Sequence, residues 1–148
     1  MSYKISTTPS IHHSLDPKAS AMTNFMESFY ATSDDPAAHE KYATEYFTDD
    51  ATLIMGGKGA KGFEEILAFR KSLWTSVSSR RHMAVKIFFG GDDDLMLFGI
   101  VNYVMKGASA KEVQIDWSAR AQFVFDEAGR PKMKYYQVYL MWVSFRMC

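Results

Sequence analysis

Met22, Phe25, Met26 and Phe29 recur at i, i+3, i+4 and i+7, which gathers them into one apolar stripe of a helix beginning near Ala19. Ser33–Asp34–Asp35–Pro36 ends that helix and opens a second. Proline is tolerated in a first turn, and acidic residues suit the positive end of the helix dipole. The second helix runs to about Phe47, with Tyr42, Tyr46 and Phe47 near one side, and Asp49–Asp50 hand over to a short strand, Ala51–Met55. Gly56 to Gly62 reads as a turn. A third helix is predicted from Phe63 to about Val77, with Phe63, Ile66, Leu67, Leu73, Trp74 and Val77 inward.

Downstream the pattern changes from helical spacing to alternation. Strands are predicted at His82–Phe89, Leu95–Met105, Glu112–Phe125 and Met133–Val143. Short polar turns separate them (Gly90–Asp94, Lys106–Ser109, Asp126–Gly129), which means hairpins and an antiparallel meander. The predicted fold class is α+β: three N-terminal helices packed on a curved, mainly antiparallel sheet, with one extra strand between the second and third helices. Residues 1–18 are polar and unpatterned and read as a flexible tail; residues 19–148 form a single domain.

Composition narrows the function classes. At 148 residues, 47% apolar and 15% aromatic, the chain can bury one substantial core. Lys plus Arg equals Asp plus Glu at 17 each, so the basic footprint of a nucleic-acid or membrane-surface binder is missing, and self-association is eased. Cys148 is the one cysteine, which excludes a disulfide within the chain and a cysteine-based metal cluster, and fits a reducing compartment. Met1 to Ser20 lacks the apolar core of a signal peptide, and no apolar run approaches a membrane span. The expected location is cytoplasmic. Ten methionines suit an adaptable pocket as well as an ordinary core.

The glycine-rich segment Gly56–Gly57–Lys58–Gly59–Ala60–Lys61–Gly62 fails as a phosphate loop, since Phe63 stands where a hydroxyl should follow a Gly-Lys pair. His12–His13 and Asp92–Asp94 read as solvated groups, because neither has the spacing of a metal site. No metal and no cofactor is expected.

Tyr46–Phe47–Thr48–Asp49–Asp50–Ala51–Thr52–Leu53, Gly62–Phe63–Glu64–Glu65–Ile66 and Met96–Leu97–Phe98–Gly99–Ile100–Val101, in that order and spacing, resemble the nuclear-transport-factor-2-like superfamily and its SnoaL-like group. Tyr135–Tyr136–Gln137–Val138–Tyr139–Leu140 is similar to a stretch of uncharacterised fungal members. The resemblance spans about residues 19–143 and implies a cone-shaped fold. Its members include ketosteroid isomerase, scytalone dehydratase, polyketide and terpenoid cyclases, and non-catalytic dimers, so fold alone narrows function little.

Alternation sorts the candidate site residues. Ile115, Trp117 and Phe123 share the apolar face of the longest strand; Asp116 and Arg120 share the other. Leu97, Gly99, Val101 and Tyr103 form the matching inner face of the preceding strand, and Gly99 marks a bend or close backbone approach. On the last strand Lys134 favours Met133, Tyr135, Gln137, Tyr139 and Met141 as inward, with Trp142 placed for a dimer seam. The expected ligand site is therefore lined by Phe25, Phe29, Tyr46, Met55, Trp74 and Trp117, with Tyr103, Tyr135, Gln137 and Tyr139 as hydrogen-bonding groups.

The isomerases and cyclases of the resembled group depend on a carboxylate or histidine in an apolar cavity, and bases are scarce here. His82 and Asp116 are the two candidates. The parity of Asp116 points outward, so a bulge would be needed to turn it in, and His82 shares parity with Lys86 rather than with the apolar Met83, Val85, Ile87 and Phe89. The expectation is a homodimeric domain that binds an apolar, polyketide- or terpenoid-like small molecule. If catalytic, it would act as a cofactor-independent isomerase, dehydratase or cyclase. The alternative is a non-catalytic dimerisation or protein-interaction domain of the same fold.

Overall fold

The computed structural model describes residues 2–7, 16–107 and 111–140. The elements run β1 (Ser6–Thr7), α1 (Pro17–Ser33), α2 (His39–Glu45), β2 (Phe47–Met55), β3 (Lys58–Lys61), α3 (Gly62–Ser72), β4 (Val77–Phe89), β5 (Asp94–Met105), β6 (Glu112–Phe125) and β7 (Pro131–Leu140). The seven strands make one sheet in the order β1-β4-β5-β6-β7-β2-β3. The antiparallel meander β4–β7 is as predicted, and β2 adds to its far side in parallel with β7.

Local chemistry sets the helix ends. Asp16 caps α1 by accepting from the Lys18 backbone N–H, and Pro17 occupies its first turn. Met22, Met26, Phe29 and Tyr30 are buried along its length. Each such side chain removed from water contributes about 1.5–3 kcal/mol, and the Phe29 ring meets those of Tyr30, Tyr42, Tyr46, Phe47 and Tyr136. The helices therefore sit in the concave side of the sheet around this aromatic cluster.

Several boundaries differ from the sequence reading. The glycine segment is a hairpin: Met55 pairs with Lys58, and Gly56 and Gly57 at φ 59° and 80° make its two-residue turn. The third helix stops at Ser72, so Leu73, Trp74 and Val77 leave it, and β4 begins five residues before His82. Residues 2–7 are not detached: Ser6 and Thr7 pair with Lys86 and Ile87, and Ile5 is buried with its N–H on Glu27. His12–His13, Met141, Trp142 and Cys148 lie outside the described residues, as do Ala108, Ser109 and the end of the last predicted strand.

Two bulges decide which side chains face inward. In β4, Ala84 pairs with Gly99 and Lys86 with Phe98, leaving Val85 as an extra residue that is 48% exposed. The bulge reverses parity, so Arg80, His82 and Ala84 lie on the same face as Ile87 and Phe89 beyond it. A Cβ on Gly99 would overlap the Met83 carbonyl, so the close approach expected there is real and a side chain is excluded. In β7, Phe123 pairs with Met133 but Gln122 with Tyr135, so Lys134 is the extra residue. Met133, Tyr136, Val138 and Leu140 consequently face the core.

Candidate active site

The second bulge corrects the sequence reading of the last strand. Tyr135, Gln137 and Tyr139 lie on the outer face of the sheet: the Tyr135 hydroxyl donates to Gln137 at 2.5 Å, and Tyr139 is 42% exposed. Asp116 is also exposed, paired across from Ile100. Arg120, on the same strand face as Asp116, makes a two-pronged contact with Asp94 at 2.9 and 3.2 Å. Asp116 has no place among the inner residues.

His82 faces inward. Its Nδ1 lies 2.6 Å from Asp34 Oδ1, and its backbone N–H donates to Asp34 Oδ2 at 2.7 Å. The Tyr3 hydroxyl also donates to Oδ2, at 2.8 Å. The imidazole packs against Tyr30 and Trp117, with ring centroids 5.0 and 5.6 Å away. With Asp34 accepting from the Nδ1 side, Nε2 is the ring nitrogen left as an acceptor for a ligand.

From sequence Asp34 belongs only to the junction that ends one helix and opens the next, with its charge suited to the start of the second. It is the C-cap of α1, where the helix dipole disfavours a carboxylate. Burial opposes its ionisation as well, with its side chain 4% exposed, yet the hydrogen bonds from the His82 ring and backbone and from Tyr3 hold its carboxyl below the ordinary value. Arg80 adds an ion pair, Nε to Oδ1 at 3.6 Å. Burial pushes His82 the other way, below its usual value, against the raising influence of Asp34. The pair is thus a carboxylate and a neutral imidazole, the protonation states of an oriented general base.

Two arginines close the end of α1. Arg70, fully buried, donates to the carbonyls of Ser33 at 2.5 Å and Asp35 at 2.6 Å, and Arg80 donates to Ser33 O and Oγ. The Trp74 ring packs against both guanidiniums, 5.0 Å from Arg70 and 4.8 Å from Arg80. Trp74 therefore braces the arginines, beside the cavity rather than on its wall.

The cavity beside His82 has a volume of about 20 Å³, room for roughly one water-sized group. Phe29, Met55, Tyr103 and Trp117 of the expected lining are on its wall, joined by Tyr42, Arg80 and Tyr136, which the sequence reading did not select. Phe25 and Tyr46 lie elsewhere. They border an open groove of about 960 Å³ between α1 and the β6–β7 turn, which includes Ser28, Asp126 and Arg130. The Tyr46 hydroxyl is held by Ser28 and Thr32 at 2.7 and 2.8 Å. The groove is the larger of the two, but the acid–base pair is in the small cavity, and chemistry decides.

Comparison with solved structures identifies the architecture. The hexachlorocyclohexane dehydrochlorinase LinA-type3 from Novosphingobium barchaimii LL02 is similar at TM-score 0.69 and 15% identity, over 89% of this chain and 91% of that one. A protein described as a scytalone dehydratase from Novosphingobium aromaticivorans DSM 12444 matches at TM-score 0.67 and 15% identity, over 89% of each chain. One described as a SnoaL-like polyketide cyclase from Jannaschia sp. CCS1 matches at TM-score 0.67 and 10% identity, over 87% and 88%. The chain has the nuclear-transport-factor-2-like fold. No protein-family model and no curated protein matches the sequence. Within this fold the concave side of the sheet holds the His82–Asp34 pair. No helix among the described residues is long and apolar enough to cross a membrane.

Proposed function

We propose that this protein is a cofactor-independent enzyme of the dehydratase, dehydrohalogenase or isomerase type, in which His82 removes a proton from a carbon of a small, mainly apolar molecule. The 2.6 Å contact between His82 Nδ1 and Asp34 Oδ1 beside a cavity carries this reading. Asp34 fixes the tautomer and stabilises the imidazolium formed when Nε2 accepts the proton. The aromatic wall of Phe29, Tyr42, Tyr103 and Trp117 suits a polyketide- or terpenoid-like ligand. A ligand larger than a water-sized group requires wall side chains such as Tyr103 and Leu140 to rotate aside. The similar proteins described as dehydrochlorinase, dehydratase and cyclase support the same reaction class.

The test is exchange of ketone α-protons in deuterated water, followed by proton NMR across a panel of cyclic and aryl ketones. Exchange above the buffer rate that disappears in His82→Gln is the expected result. Exchange unaffected by that substitution would remove His82 as the base.

A homodimer is the second part of the proposal. Phe88, Met96, Phe98 and Tyr139 are each more than 40% exposed on the outer face of β4 to β7, and Phe88 stacks on Phe98 at 6.2 Å. An apolar patch of this kind on a protein of zero formal net charge suits a second copy of the chain. The single thiol of Cys148 suits a cytoplasmic setting.

A further inference from the structure

Hydrogen-bond donors left without acceptors surround the same cavity. Arg80 is 7% exposed and Trp117 3% exposed; both line the space beside His82. Arg80 Nε and Trp117 Nε1 are buried and have no hydrogen-bond partner among the described residues. A buried unsatisfied donor costs about 1–3 kcal/mol, and more when charged, so two on one cavity wall call for an explanation. The Asp34 carboxylate, 3.6 Å from Arg80 Nε, is too distant to satisfy it as a hydrogen bond, and its oxygens already serve Tyr3 and both N–H groups of His82.

Charge points the same way. Arg70 and Arg80 are two buried guanidiniums near one buried carboxylate, with which Arg80 alone makes an ion pair, and the imidazole is neutral. Burial, together with the charge of Arg80, brings Arg70 down to about 10, the response expected of a cation among too few anions. No described residue of the wall is a carboxylate.

We infer that Arg80 and Trp117 form an acceptor site next to His82, which holds one negatively polarised atom of the ligand, such as the oxygen of a ketone or a carboxylate. The mechanistic part rests on the proton-transfer reading above. His82 Nε2 takes a proton from the carbon beside a carbonyl, and the C–H electron pair becomes a C=C bond. The carbonyl π electrons move onto oxygen, and the resulting enolate oxygen lies against the Arg80 guanidinium and the Trp117 N–H. Reprotonation at another carbon, or loss of a β-substituent with its electron pair, completes the change and returns the electrons from oxygen. Arg80 and Trp117 therefore select substrates with a carbonyl next to the acidic C–H, and disfavour hydrocarbons and amines.

A small anion tests the site without any substrate. The full-length protein is titrated with chloride and the chloride NMR linewidth recorded, with formate as an oxygen-bearing competitor. Excess broadening that millimolar formate abolishes is expected. Arg80→Gln should weaken it by about tenfold or more, the equivalent of one charge-assisted hydrogen bond. Trp117→Phe should weaken it severalfold while circular dichroism and melting stay near those of the parent, because Nε1 bonds to nothing among the described residues. A folded parent without excess broadening, or unchanged broadening in Trp117→Phe, overturns the acceptor site. His82→Gln separates the two readings: retained chloride binding with no ketone exchange in any protein removes the proton-transfer reading alone, while His82-dependent exchange without anion binding removes the acceptor site alone.

Discussion

A side-chain carbon on Gly99 would overlap the backbone carbonyl of Met83 on the neighbouring strand. That close approach occurs where Val85 bulges from β4, and the bulge lets His82 and Ile87 share the inner face although they are five positions apart. Gly99→Ala should therefore destabilise the fold by about 1–3 kcal/mol, the usual cost of forcing extra volume into a packed backbone. It should also displace His82. A shift of about 1 Å can cost about a hundredfold in rate. Urea denaturation and the ketone-exchange assay measure the two effects; an Ala variant with parental stability would mean that the strands part at no cost.

The helix–strand order and the antiparallel meander were legible because they are written in spacing: Met22, Met26 and Phe29 on α1, and the alternation of Ile115, Trp117 and Ala119 on β6. What parity alone could not show were the single-residue bulges at Val85 and Lys134, each of which reverses every side chain beyond it. The first brings His82 in with the apolar positions Ile87 and Phe89. The second sends Tyr135, Gln137 and Tyr139 out. Asp34 did carry a signal, as a carboxylate at the C-terminal end of a helix against the dipole. Its partners Tyr3 and His82 are 31 and 48 positions away, so no local spacing could assign it.

Asp34 should matter more than any one of its donors. In Asp34→Asn an amide NH2 must face either the His82 backbone N–H and Tyr3 hydroxyl or the His82 Nδ1–H, and Arg80 loses its countercharge. Removing one member of a buried charge pair costs about 3 kcal/mol or more, and loss of the oriented base lowers the rate by about 10²–10⁴. Tyr3→Phe deletes one neutral donor and should cost about 1 kcal/mol. Chemical denaturation and exchange rates should rank Asp34→Asn well above Tyr3→Phe; equal effects would mean that the carboxylate is only a cap.

Acid should remove stability and activity together. Burial lowers His82 below its usual 6.5, so the unfolded chain binds that proton more readily than the folded one. The contribution of His82 to stability is present above about pH 6.5 and is lost as pH falls through its lower folded-state value. Asp34, held below 3.8 despite its burial, contributes above that pH and loses its share as pH falls through its own folded-state value. The exchange rate should fall on the acid side of a single step below pH 6.5 that is absent in His82→Gln. A step above pH 6.5 would show a raised, not a lowered, imidazole.

The outer face should be separable from the cavity. Phe98→Glu places a charge among Phe88, Met96 and Tyr139 and should convert a dimer to a monomer in sedimentation velocity. The monomer's melting temperature in dilute solution should change little, since Phe98 is 42% exposed within the chain. A parent that sediments as a monomer at all concentrations would end the dimer proposal.

Adjacent tyrosines on β7 give opposite expectations because of the Lys134 bulge. The Tyr136 hydroxyl meets that of Tyr30 at 2.9 Å in the buried core, and the Tyr30 ring lies against His82. Tyr136→Phe leaves the Tyr30 hydroxyl without its partner and should cost about 1–3 kcal/mol, with a measurable loss of exchange through the loosened His82. Tyr135→Phe removes only an outer-face bond to Gln137 and should stay within about 0.5 kcal/mol with the rate unchanged. Were the strand in the uninterrupted alternation that Lys134 suggests from sequence, the two results would exchange places, so a pair of denaturation curves decides the register.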